Sequence, residues 1–354
     1  MIRLLIVEDS KTVQQALVAA FSADPEIRVI GTAANGEAAV TAARDLKPDI
    51  ITMDINMPGM DGFEATRAIM SSWPVPIVII TGKMDPKDSV TLFRVMEAGA
   101  LMVLAKPEPP GSAGHLESVA RLVRYIKLMS EIKVVRRSFP IGLERALIKP
   151  IPLPLSASRV KVVAIGASTG GPPLLQQILA SLPPQFGAAL LVVQHMADGF
   201  TENFVHWLRL SSRLPVQLAV DGMKISAGQV YVAPDGCHME AGPDHKIVLS
   251  SAPAENGLRP SVSTLFRSVA LNYGRQAAGV LLTGMGSDGA TGLKNLRERG
   301  GITIAQNRES SVVFGMPAEA IRIDAALYVL SPEEIIHLLA TVVTQPNTEP
   351  SQAR

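Results

Sequence analysis

A chain of 354 residues exceeds what one hydrophobic core ordinarily serves, so two domains are expected. At 47% hydrophobic and 18% charged, with a formal net charge of +1, it reads as well-packed domains without the basic field that nucleic acid requires. Apolar runs such as 77–80 and 160–165 fall far short of the ~20 residues that span a bilayer, so no membrane insertion is expected. The N-terminus enters a strand at once and meets two acids, Glu8 and Asp9, which is not the pattern of a signal peptide; the expected location is the cytoplasm. The single cysteine, Cys237, excludes an internal disulfide and sits in a turn-like Pro-Asp-Gly-Cys-His segment that marks no activated thiolate. No CxxC or HExxH spacing points to zinc.

Residues 1–130 alternate short apolar strands (3–8, 28–32, 49–54, 76–81 and 101–105) with segments of helical spacing, such as Val13, Leu17 and Ala20, or Leu92, Val95 and Met96. A fifth helix is predicted to carry Leu116, Val119, Val123, Ile126 and Met129 on one face. Alternating units with fully apolar strands predict a parallel (βα)5 sheet covered on both sides.

Glu8 and Asp9 end the first strand, Asp54 the third, Thr81 the fourth and Lys106 the fifth. In a doubly wound sheet these ends share one crevice. Three carboxylates there repel one another unless a hard divalent cation such as Mg2+ neutralises them, leaving positions for phosphate oxygens. The constellation, with Asp54-Ile55-Asn56-Met57-Pro58-Gly59-Met60-Asp61-Gly62 and Lys106-Pro107, resembles the flavodoxin-like receiver domain of bacterial response regulators. The resemblance implies that Asp54 accepts phosphate from a histidine kinase of the CheA type, that Glu8, Asp9 and Asp54 hold Mg2+, and that Thr81 and Lys106 read the phosphorylated state. It departs at Val103, where receivers commonly carry an aromatic switch residue, so a relay through an aromatic rotamer is not implied.

Residues 131–159 change character: Arg136-Arg137 precede Pro140, Pro150, Pro152 and Pro154. Proline at that density favours a semi-rigid linker. Alternation resumes with strands at 160–166, 188–194, 216–219, 229–233, 246–250, 278–283, 302–305 and 326–330, most of them separated by helices. The stretch 216–250 predicts a small antiparallel hairpin beside a doubly wound, mostly parallel α/β sheet. The second domain is placed at 160–342 and a disordered tail at 343–354; the oligomeric state stays open.

Val162-Val163-Ala164-Ile165-Gly166-Ala167-Ser168-Thr169-Gly170-Gly171-Pro172 reads as strand, tight turn and helix start. This sets Ser168 at the positive end of a helix, beside backbone N–H groups able to bind an oxyanion. A serine hydroxyl needs a base, and the next strand ends on His195; a later strand opens into Gly284-Met285-Gly286-Ser287-Asp288-Gly289, which offers Asp288 to orient the imidazole. Two other readings compete. The glycines around Ser168 suit a phosphate cradle, and 284–289 matches the dinucleotide pattern Gly-x-Gly-x-x-Gly, although the following strand ends in Gln306-Asn307 rather than in a ribose-binding acid.

Residues 160–342 resemble the catalytic domain of the chemotaxis protein-glutamate methylesterases, the CheB family. The matching segments are 164–171, Gln194-His195-Met196, 200–204, 228–234, Arg259-Pro260-Ser261-Val262, 282–289 and 312–317. The resemblance implies Ser168 as nucleophile, His195 as base and Asp288 as its partner, with Thr169, Gly170 and Met285 beside the nucleophile and the Met285 N–H in the oxyanion hole. It further implies a cofactor-free esterase acting on glutamate γ-methyl esters of methyl-accepting chemotaxis receptors, and deamidating receptor glutamines. Phosphorylation would relieve obstruction of the esterase by the receiver. A receiver-controlled, non-catalytic output module and a dinucleotide-binding oxidoreductase are the rivals. Methanol release separates the first, and cofactor titration against Trp73 and Trp207 fluorescence the second.

Overall fold

The apolar runs of the first half each become a strand: β1 Ile2–Val7, β2 Ile27–Ala33, β3 Ile50–Met53, β4 Ile77–Thr81 and β5 Met102–Ala105. Between and after them lie α1 Lys11–Ser22, α2 Gly36–Leu46, α3 Gly62–Ser72, α4 Ser89–Glu97 and α5 His115–Ser130. The computed structural model describes residues 1–82, 89–132, 134 and 160–344, in two units, Met1–Glu144 and Arg145–Arg354. Each unit is taken by itself; the expected linker lies almost wholly outside the described residues.

In the first unit the strands pair in parallel in the order β2-β1-β3-β4-β5. Every residue of β3 and β4 is buried, because helices cover both faces and leave no polar side to alternate with. Asn35 and Asp61 begin α2 and α3 by accepting the N–H groups of Ala38 and Glu64 at 2.9 and 2.8 Å. The face of α5 keeps the expected Ile126 and Met129, with Val119 and Val123 half-buried, but differs at its start. Leu116 is 82% exposed, and the buried line is Ser118, Leu122, Ile126 and Met129. Ser118 earns its interior place through hydrogen bonds: its hydroxyl donates to His115 O at 2.7 Å and accepts Glu108 N–H at 3.1 Å.

The second unit contains β6 Val162–Ala167, α6 Gly171–Ser181, β7 Ala189–Gln194, α7 Thr201–Ser211, β8 Val216–Leu218 and β9 Val230–Val232. Then follow β10 His238–Ala241, β11 Ile247–Ser250, α8 Val262–Tyr273, β12 Ala277–Leu281, α9 Ala290–Glu298, β13 Ile302–Gln306, α10 Met316–Arg322, β14 Tyr328–Leu330 and α11 Pro332–Thr344. Seven strands form one parallel sheet in the order β14-β13-β12-β6-β7-β9-β8. From β6 the chain first builds outward through β7 and then returns to β12 on the other side, which makes β6 the point where strand order reverses.

The hairpin is β10–β11, a separate antiparallel pair; β8 and β9, from the same stretch, join the parallel sheet instead. Strand β10 is an addition to the sequence reading, which took its first residue as part of a turn. Met239, Ala241 and Ile247 point into the core shared with α8, while Val248 is exposed. Helix α8 also holds the hairpin by its polar groups, since Ser268 Oγ accepts Ala241 N–H at 2.9 Å and Asn272 donates to Ala241 O at 2.7 Å. Helix α11 runs to Thr344 with Val342 and Val343 buried, and residues 345–354 lie outside the described residues. Among the described residues no helix is long and apolar enough to cross a membrane.

Candidate active site

Each sheet places its chemistry at the carboxyl ends of its strands, next to the reversal of strand order. In the first unit that reversal lies between β1 and β3. Glu8, Asp9 and Asp54 meet there, with one oxygen from each lying within 4.8 Å of the others. Glu8 and Asp54 are buried and Asp9 is exposed. Lys106 Nζ stands 2.6 Å from Asp54 Oδ2 and 2.7 Å from Glu8 Oε2. Asp54 Oδ1 accepts the Ile55 N–H at 2.7 Å, and Glu8 Oε1 that of Ser10 at 3.2 Å. Burial, reinforced by the charge of Asp54, raises the Glu8 carboxyl above its ordinary value despite Lys106. Burial alone would lower the Lys106 ammonium, but the two carboxylates override it and the net shift is upward. Thr81 is buried at the end of β4, its carbonyl accepting Lys106 N–H at 2.8 Å, and Val103 is buried within β5.

Whether these groups suit a divalent ion is tested by Glu8 Oε2. It is buried, with a cation, Lys106 Nζ, 2.7 Å away. Buried carboxylates that already face a cation, among three hard oxygen donors, fit Mg2+, so Glu8, Asp9 and Asp54 are the residues that would hold it.

In the second unit Ser168 follows β6, His195 follows β7 and Asp288 follows β12, three neighbouring strands. Register fixes the first two side by side. Ala167 pairs with Gln194, and His195 N–H donates to Ala167 O at 2.9 Å. One side chain bridges them: Gln194 Nε2 donates to the carbonyls of both Ser168 and His195, each at 2.8 Å. Ser168 is partly exposed at the turn into α6, where Gly170 takes φ +79° and Gly171 N–H returns to Ser168 O at 2.8 Å.

His195 Nε2 lies 3.0 Å from Asp288 Oδ2. Asp288 is buried and accepts from four further donors: Ser261 Oγ at 2.9 Å and the N–H groups of Val262, Ser263 and Gly289 at 2.7, 3.0 and 2.8 Å. Burial alone would raise its pKa; the imidazole and these donors override that and hold the carboxyl far below the usual range.

Ser168's own N–H is occupied by Thr283 O at 3.0 Å, so it is not available to an oxyanion. The N–H groups of Thr169, Gly170 and Met285 have no acceptor among the described residues. Thr283 anchors this turn from below: its hydroxyl donates to Thr169 O at 3.0 Å and accepts Val313 N–H at 2.8 Å. Gly284 packs directly on the serine, where a Cβ would stand 2.7 Å from Ser168 Cβ and 2.3 Å from Met316 Sδ. Gly284 and Gly289 thus serve close packing, the latter against Leu281 and Val262, whereas Gly286 takes φ +82° with open space beside it. Thr283, Gln194, Ser261 and Ser263 were not assigned roles from sequence. The N-cap pattern Ser261-x-x-Thr264 ahead of an apolar run, and the place of Ser261 in the matching segment 259–262, are the signals that could have flagged it.

The CheB methylesterase family model matches residues 163–339, half of the chain, and the response regulator receiver domain model matches residues 4–113. The chain belongs to the CheB methylesterase family. Its relatives in that family include the protein-glutamate methylesterase/protein-glutamine glutaminase 4 of Geobacter metallireducens, 49% identical over 98% of this chain and 100% of the relative. The corresponding protein 1 of Syntrophus aciditrophicus is 50% identical over 96% of this chain and 97% of its own length. Among solved structures, the Thermotoga maritima CheB methylesterase catalytic domain aligns with TM-score 0.51 at 38% identity, covering 52% of this chain and all of that one. A receiver ahead of a methylesterase domain is thus the family architecture this CheB-family chain carries, as the sequence resemblance implied.

Proposed function

We propose that the chain is a phosphorylation-controlled protein-glutamate methylesterase acting on glutamate γ-methyl esters of methyl-accepting chemotaxis receptors, with glutamine deamidation as a second activity of the same site. The observation that carries the reading is the convergence of Ser168, His195 and Asp288 at the ends of three adjacent strands. With Nε2 turned to Asp288, Nδ1 is the imidazole nitrogen available to Ser168. Ser168 Oγ attacks the ester carbonyl as His195 takes its proton, and the unused N–H groups of Thr169, Gly170 and Met285 are the candidates to receive the oxyanion. His195 then protonates the departing methoxide. Water, activated by the same imidazole, hydrolyses the acyl-enzyme and leaves a glutamate. A glutamine side chain follows the same course and releases ammonia. Asp288 holds its charge throughout, stabilising the imidazolium while it exists.

In the receiver, Asp54 is the phosphate acceptor and a CheA-type histidine kinase the donor. Glu8, Asp9 and Asp54 would hold Mg2+, which when bound would supply charge neutralisation for phosphoryl transfer. Lys106, already paired with Asp54, stays beside the phosphoryl group, and Thr81 offers a hydroxyl at the same strand ends.

The test is methanol release from a methyl-esterified receptor. Ser168→Ala should lower it at least ~10³-fold. Turnover within tenfold of the wild type would refute the assignment.

A further inference from the structure

His238 is the first residue of β10 and only 2% exposed, yet it has no part in the mechanism above. Its Nδ1 lies 3.2 Å from the backbone nitrogen of Ser261, and its Nε2 lies 3.2 Å from Pro253 O. A backbone N–H can only donate and a carbonyl can only accept, so both contacts hold together in a single state: neutral imidazole with its proton on Nε2. One ring thereby grips the 253–261 loop at both ends.

That loop delivers the environment of Asp288. Ser261 is the N-cap of α8; its hydroxyl donates to Asp288 Oδ1, and the next two backbone N–H groups, of Val262 and Ser263, donate to the same carboxylate. The remainder of the loop is held from α8. Glu255 accepts from Thr264 Oγ1 at 2.8 Å and pairs with Arg267 at 2.8 and 2.5 Å. Ser261 N–H is what His238 alone secures, and moving it moves three of the donors that aim Asp288.

We propose that His238 is a positioning residue for the esterase: as the neutral Nε2–H tautomer it fixes Ser261, and through the start of α8 it fixes Asp288 against His195. The inference rests on the Ser168–His195–Asp288 reading. Misplacing a catalytic group by about 1 Å costs on the order of 10²-fold in rate, so loss of this grip is read in kcat and not in KM.

Substitutions at 238 separate positioning from mere packing. In His238→Asn the amide oxygen falls near the place of Nδ1 and still accepts Ser261 N–H. In His238→Gln the longer amide reaches the place of Nε2 and serves Pro253 only. The full-length protein and its His238→Asn, His238→Gln and His238→Ala variants are compared by methanol release from a methylated receptor, by the rate at which a fluorophosphonate labels Ser168, and by melting temperature. Expected are losses of roughly 30- to 100-fold in kcat and in labelling rate for Gln and Ala, with KM unchanged, and recovery to within about fivefold of wild type for Asn. If His238→Ala does not fold, the Asn–Gln pair carries the comparison. Equal rates for Asn and Gln, or rates that follow melting temperature alone, would overturn the proposal. A wild type labelled at Ser168 but releasing no methanol would remove the methylesterase reading while leaving this comparison intact. A wild type not labelled at all would overturn both.

Discussion

Asp288 carries its charge in a buried place because donors surround it, and their origin explains the cost of losing any one of them. Three come from the start of α8, where the helix dipole also favours a negative group, and one from Gly289 beside it. A carboxylate held below its ordinary value in the folded state stabilises that state fully above about pH 4, and the contribution is lost as pH falls toward the depressed value. The stability difference between wild type and Asp288→Asn should therefore shift against the wild type on acidification from pH 5 to pH 2, as read by urea unfolding. A difference constant over that range would mean that Asp288 is not held as described. The same substitution should lower kcat by about 10³- to 10⁴-fold at neutral pH, because an amide cannot stabilise the imidazolium. At this scale the strand-end places of the three proposed triad residues were legible in the sequence, since each follows an apolar strand. The supporting residues were not: Gln194 and Thr283 act through backbone carbonyls and amides, and no spacing in sequence announces which carbonyl a side chain will reach.

Elements bring those residues together by strand order. β6 lies between β7 and β12, so groups separated by more than a hundred residues in sequence end on adjacent strands. The alternation of apolar runs and helical segments made fourteen strands legible but for β10, whose four residues follow a Gly-containing turn without a long apolar run. That omission matters, because β10 carries His238. The start of the α5 face was misread for a related reason, while Ile126 and Met129 lie on it as expected. Ser118 is buried through its hydrogen bonds, which hydrophobic periodicity does not register, and the stripe is thereby rotated away from Leu116. Close approach between elements also sets the serine. Because Gly284 leaves no room for a Cβ beside Ser168 and Met316, Gly284→Ala should displace Ser168. Activity should fall at least tenfold while stability falls by about 1–3 kcal/mol, the range for overpacking a tight site. A variant as active as wild type would show that the turn at 284 can yield without moving Ser168.

The whole molecule joins a phosphate-accepting unit to an esterase. Lys106 bridges Asp54 and Glu8, so adding a phosphoryl group to Asp54 must rearrange an ion-paired cluster at the ends of β1, β3 and β5. Val103 is buried at the position of the aromatic switch, and Thr81 and Lys106, joined by a backbone hydrogen bond, are the groups proposed to report that change. The central claim is that Asp54 governs the chemistry at Ser168. It is tested most directly by the initial rate of methanol release from a methylated receptor with Mg2+, with and without a small-molecule phosphodonor, in wild type and Asp54→Asn. The account predicts stimulation of at least several-fold in the wild type and none in Asp54→Asn; equal stimulation of both proteins would contradict it.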